Sequence, residues 1–157
     1  MGSEYAHNNQ TMEYEETLHN IYEQAKRKGA CDLFPCFNGS ESVAELARLM
    51  FTPQGREFCI RNRFPDLNTF RTFKPYQPEQ YGVYIDAGDI TLYDTDCFLI
   101  GETRATVRLS DVKNFRVFLM HGAKADVDAG GHAVVRIIAD TKSSYSKQQS
   151  DNAIILD

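Results

Sequence analysis

The sequence predicts an α+β fold in which N-terminal helices cap a C-terminal β-solenoid-like half, of the single-stranded β-helix kind. Three observations predict it. Apolar residues recur at helical spacing before Gly82 and alternate after it, so the period drops from 3.6 to 2. Residues 98–107 are answered by residues 118–127, with six of ten positions identical or similar at a separation of 20. An echo at this period marks a supersecondary unit stacked on copies of itself. Small residues also fall in a column, Ala105, Ala125 and Ser143, where a narrow coil needs them. An antiparallel sandwich or meander is the alternative, with 101–103 and 121–123 as hairpin turns. Such a meander has no reason to keep the small column in step.

The elements follow in order. Residues 1–10 are expected to be disordered. A helix over 11–29 begins at a capping Thr11, carries Glu13, Glu15 and Glu16 near its start and ends on Lys26, Arg27 and Lys28. Its stripe is Leu18, Ile21, Tyr22 and Ala25, and Gly29 stops it. Ser42 with Glu45 opens a second helix, burying Val43, Leu46, Leu49 and Met50. Thr52-Pro53 reads as N-cap and first residue of a third, ending near Asn62. Pro65-Asp66 starts a short fourth that holds Leu67, Phe70 and Phe73. These helices form a cap over 11–74, and the prolines of 75–81 make an extended linker. The β-repeat half, 82–157, packs with them as one unit.

Within that half an apolar doublet recurs at Tyr84-Ile85, Leu99-Ile100, Leu119-Met120, Ile137-Ile138 and Ile155-Leu156, with spacings of 15, 20, 18 and 18. That alignment stacks Arg104, Lys124 and Lys142. It leaves the last doublet as an open, apolar solenoid end with nothing to cover it.

Phe51-Thr52-Pro53-Gln54-Gly55-Arg56-Glu57-Phe58-Cys59, with Asn62 and Phe64-Pro65, and then Met120-His121-Gly122-Ala123-Lys124-Ala125, resemble segments of an uncharacterised gut-bacterial (Bacteroidales-type) family of short proteins. The resemblance covers residues 43–157. It implies the same two-part layout and a bacterial origin, and it brings no activity and no residue role.

Bulk properties exclude several classes. The chain has 157 residues, 42% apolar and 25% charged, with a net charge of −5. That fits one domain able to bury a core without disulfides. The negative balance argues against general attraction to nucleic acid or anionic lipid. No apolar run is long enough for a membrane span, and the start lacks a signal-peptide pattern. A cytoplasmic location is expected, unless Met1-Gly2-Ser3 is a tag remnant that hides a removed signal. Cys31, Cys36, Cys59 and Cys97 are expected as buried free thiols.

Chemistry-bearing motifs are sparse. Asp126 and Asp128 before Gly130-Gly131 mimic part of a calcium loop, but Gly130 offers no ligand and Ile137 stands where the closing Glu belongs. His121, His132 and Cys97 have no zinc spacing, and Asp86-Ala87-Gly88-Asp89 reads as a turn. No catalytic residue, metal or cofactor is expected. One stretch stands apart: Arg56, Arg61, Arg63, Arg71 and Lys74 give 56–74 a charge of +3, interleaved with Phe58, Phe64, Phe70, Phe73 and Tyr76. Bases with aromatics suit single-stranded nucleic acid; packed rings under a solvated basic face are the plainer account.

The expected function is therefore a non-enzymatic interaction or scaffold module. Ile154, Ile155 and Leu156 form its contact edge, for a homodimer or another protein. A nucleic-acid-associated protein using segment 56–76 ranks second, and an unrecognised hydrolase third.

Overall fold

The computed structural model describes the backbone of residues 3–30 and 38–157, and the side chains of residues 12–30 and 38–157. Four helices come first: α1 (Ser3–Arg27), α2 (Val43–Phe51), α3 (Pro53–Asn62) and α4 (Leu67–Arg71). Nine strands follow: β1 (Val83–Ile85), β2 (Gly88–Tyr93), β3 (Cys97–Ile100), β4 (Thr103–Leu109), β5 (Asn114–Met120), β6 (Lys124–Ala129), β7 (Val134–Ala139), β8 (Ser144–Gln149) and β9 (Ile154–Leu156).

Odd strands make one parallel sheet in the order β1-β3-β5-β7-β9, here sheet A, and even strands make a second, β2-β4-β6-β8, sheet B. Each coil contributes one strand to each sheet. Every pairing is parallel, which removes the sandwich and meander alternative. The chain is a parallel β-solenoid of about three turns over residues 97–156, preceded by helices and a shorter first coil.

Two of the expected spacings change. Leu119 pairs with Ala139, and Val135 with Ile155, so the later coils repeat every 20 residues rather than 18. A slip of two residues keeps each side chain on its own face, so apolar pattern cannot tell 18 from 20. The corners decide. Ser144, Ser150 and Ile154 donate their N–H groups to the carbonyls of Ala123, Ala129 and Ala133, at 2.9–3.1 Å. Arg104 and Lys124 therefore stack as expected, but Ser144, not Lys142, continues the column. The small column likewise ends on Tyr145 in place of Ser143.

Alternation divides the strands between two cores. Inward residues such as Leu99, Val107, Phe115, Val117 and Val127 fill the solenoid interior. Outward residues of sheet A, Val83, Ile85, Phe98, Ile100, Phe118 and Met120, form a second core with Ala47, Phe58, Phe70 and Phe73 of the helical layer. The helices thus lie along the flank of sheet A. The inward Tyr84, Ile90 and Leu92 of the first coil are half-buried.

Helix starts follow the expected caps. Ser42 accepts from the N–H of Glu45 (3.2 Å), Thr52 from Gly55 (3.0 Å) and Asp66 from Thr69 (2.7 Å). α1 is longer than its periodicity suggests. It begins at Ser3, so the backbone of 3–10 is helical rather than disordered. Neither Gly nor Pro lies between Ser3 and Arg27 to interrupt it. The expected extended linker is instead two 3₁₀ turns, Lys74–Tyr76 and Pro78–Tyr81. Each has proline in its first positions, where a fixed φ suits a tight turn as well as an extended path.

The far end of the solenoid also differs from expectation. In sheet B the inward positions of β6, Val127 and Ala129, are followed on β8 by Lys147 and Gln149. Lys147 reaches Asp157 at 2.6 Å, and Gln149 accepts from the N–H of Ile155 at 3.4 Å. The interior column therefore closes on polar groups in that sheet, and the end is not the bare apolar surface foreseen. What stays exposed and apolar lies on the outer face of sheet A, at Ile154 (51%) and Leu156 (41%).

Candidate functional site

Corner carboxylates tie one coil to the next. Asp94 accepts the N–H groups of Ser110 (2.7 Å) and Asp111 (3.1 Å), and Asp96 that of Arg116 (2.8 Å). Asp86 accepts from Glu102 (2.8 Å) and from the Arg71 guanidinium (2.6 Å). Asp140 accepts from His121 (2.8 Å) on the preceding coil. The backbone bonds of Ser110 and Asp111 hold the Asp94 carboxyl below its ordinary range. Burial pushes Asp86 up, but the Arg71 hydrogen bond, the Glu102 N–H and neighbouring charge outweigh it and hold it low as well. Both pKa values are depressed in the fold, so this stabilisation is complete above the unfolded value of about 3.9. It is lost as pH falls through the folded values. Hydrogen exchange should accordingly show the amides of Glu102, Ser110 and Asp111 losing protection below about pH 4, before the central-strand amides of Val117 and Leu119.

The basic residues singled out by sequence differ in their partners. Arg71 is committed to Asp86, and Lys74 lies close enough for its charge to act on the same carboxylate. Arg61 lies in the last turn of α3, and Arg63 caps it in a left-handed conformation with φ 47°; both are exposed. Phe58, Phe64, Phe70 and Phe73 are buried in the second core, which leaves Tyr76 as the exposed ring of the segment. Arg56 goes elsewhere: its guanidinium lies 5.4 Å from the centre of the Phe118 ring, on the outer face of sheet A.

Arg56 there joins two arginines that composition alone did not single out. Arg116 and Arg136 are register partners on β5 and β7, side by side on that face. Arg116 is braced by Asp96 (2.8 Å), the carbonyl of Phe51 (2.9 Å) and the Phe51 ring (5.2 Å). Arg136 is exposed, and among the described residues neither it nor Arg56 meets a carboxylate. Burial, then the charges of Arg136 and Arg116, lower the Arg56 pKa. Of the three guanidiniums, only that of Arg116 meets a carboxylate among the described residues. The signal that finds Arg116 and Arg136 in the sequence is the 20-residue period itself, which separates Asp96, Arg116 and Arg136.

The expected contact residues split by alternation. Ile155 turns inward and packs against the interior core, while Ile154 and Leu156 face out. Leu156 is the register partner of Arg136, so the apolar and basic features adjoin.

His121 has a structural role. His121, left-handed at φ 57°, places Nε2 2.8 Å from the Pro65 carbonyl, so that nitrogen carries a proton and donates it. Its ring also meets Phe70 edge-on. His132 is exposed. Cys59 and Cys97 are buried free thiols; burial pushes Cys59 up to about 12 and raises Cys97 also, so neither is a ready nucleophile. Cys31 and Cys36 lie outside the described residues. Asp126 and Asp128 face outward on β6, with Asp126 accepting from Ser146 and Asp128 beside Arg108. No cluster of three potential metal ligands occurs among the described residues, and no helix there is long and apolar enough to cross a membrane.

No family model, no curated protein and no solved structure matches this chain. The class of molecule is therefore defined by its architecture: a parallel β-solenoid flanked by helices.

Proposed function

We propose that this chain is a non-enzymatic protein-interaction module, and that it binds through the part of sheet A's outer face that the helices leave open. One observation carries the reading. The outer face is apolar where the helical layer covers it, and past that cover it still exposes Ile154 and Leu156, beside Arg136. Exposed apolar residues grouped on one face mark contact sites more often than scattered ones do. A nucleic-acid role draws less support, since four of the five rings interleaved with the basic residues, Phe58, Phe64, Phe70 and Phe73, are buried and Tyr76 alone of them is exposed. A hydrolase draws less still, because His121 is held by a backbone carbonyl and the thiols of Cys59 and Cys97 are buried.

A photo-crosslinking amino acid in place of Ile154, in the source cell, is expected to trap a discrete adduct with another chain or a second copy. The same probe at Val112, an exposed corner position (82%), serves as control. Adding Leu156→Asp should abolish the Ile154 adduct, because it buries a charge in an apolar contact. No adduct at 154, or equal adducts at 154 and 112, overturns the reading.

A further inference from the structure

Parallel strands set identical side chains one rung apart, about 4.8 Å, so Arg116 and Arg136 repel each other unless something answers them. Asp96 answers the first. Among the described residues Arg136 and Arg56 have no such answer, in a chain whose net charge is −5. Two of the three are also held in place. Arg116 is fixed at both ends of its guanidinium, by Asp96 and the Phe51 carbonyl, and Arg56 is laid over the Phe118 ring. Guanidiniums immobilised before binding lose little freedom when they take a bidentate acceptor.

We propose that Arg56, Arg116 and Arg136 form a carboxylate-binding site for an acidic peptide segment of a partner protein. This inference rests on the interaction-module reading and adds its ligand chemistry. The neighbours select the class. Leu156 is the next residue in the Arg116–Arg136 column, and half-buried Ile138 lies in the adjoining column of the same face, beside Phe118, which Arg56 covers. A strand with carboxylates alternating with apolar side chains matches that sequence of basic and apolar groups. A polyanion matches it poorly, because its charges would continue over apolar surface and meet an acidic molecule beyond. A second copy is also a weaker fit, since a two-fold contact through this face would bring like basic clusters toward each other.

The test is fluorescence polarisation with the full chain and three labelled probes. These are a ten-residue peptide of alternating Glu and Leu, its Gln-for-Glu counterpart, and a ten-nucleotide oligothymidylate. The Glu peptide is expected to bind. Arg136→Glu should weaken it about tenfold or more, as should the Gln substitution, each removing charge-assisted bonds. Arg136→Lys should fall between, keeping the charge and losing the fork. Arg136 is exposed, so thermal melts of these variants should match the parent. No binding of the Glu peptide, or equal binding by Arg136→Glu, overturns the inference. Equal binding of the Gln peptide leaves a purely apolar contact: this inference then fails while the module reading stands if Leu156→Asp still abolishes binding. Tighter binding of the oligothymidylate than of the Glu peptide overturns it in favour of a nucleic acid.

Discussion

Phe118→Ala is expected to destabilise the protein by about 3–5 kcal/mol and to lower the melting midpoint by roughly 10 °C. The side chain is fully buried on the outer face of sheet A. Its ring lies 5.3 Å from Phe98 and 6.1 Å from Phe51, and Arg56 covers it from the helical side. Truncation removes apolar burial from both the helical layer and the sheet, and it leaves a void that neither rigid surface can close. A domain of this size is held by only about 5–15 kcal/mol, so the loss is a large share of the total. Val112→Ala, at an exposed corner, should change stability by less than about 0.5 kcal/mol. Equilibrium denaturation of both variants checks this. A loss under about 1 kcal/mol for Phe118→Ala would show that the helices are not docked on this face.

Gly55→Ala should be nearly as damaging, although alanine in place of a helical glycine ordinarily stabilises by up to about 1 kcal/mol. Gly55 sits in the first turn of α3, against the last turn of α2. A β-carbon there would overlap the Leu49 carbonyl oxygen, with the carbonyl carbon and the Thr52 hydroxyl oxygen both only 2.8 Å away. Backbone on one side and the capping hydroxyl on the other leave no flexible group to give way. Forced separation costs about 1–3 kcal/mol as overpacking, and loss of the Thr52 cap adds about 1 kcal/mol. Together they predict a loss of about 2–4 kcal/mol. A neutral or stabilising effect in the same denaturation assay would mean that α2 and α3 are not in contact at this corner.

Much of this architecture is legible in the residues, because local chemistry writes it plainly. Ser42, Thr52 and Asp66 mark helix starts through hydrogen bonds that depend only on neighbours a few positions away. The pairing of residues 98–100 with 118–120, and of 104–107 with 124–127, can be read from the echo. The later coils were harder. Ile137-Ile138 has the right parity in either register, and the choice falls to corner hydrogen bonds that leave no mark in apolar pattern. The placement of the helices is also non-local. Phe98 and Phe118 look like solenoid core until alternation sends them outward, where a helical layer must cover them. The arginine cluster needs that same knowledge, since Arg56 meets Arg116 and Arg136 only once α3 lies against sheet A.

The polar inward positions of β8 bear on a hazard shared by stacked parallel sheets. A solenoid exposes a template of unpaired N–H and C=O groups at its rim, and another molecule's rim could continue the ladder into a fibre. Continuation here would have to enclose the Lys147 ammonium and the Gln149 amide where the growing stack needs apolar filling. End-to-end polymerisation is therefore opposed from inside the coil. The molecule is left free to use its side.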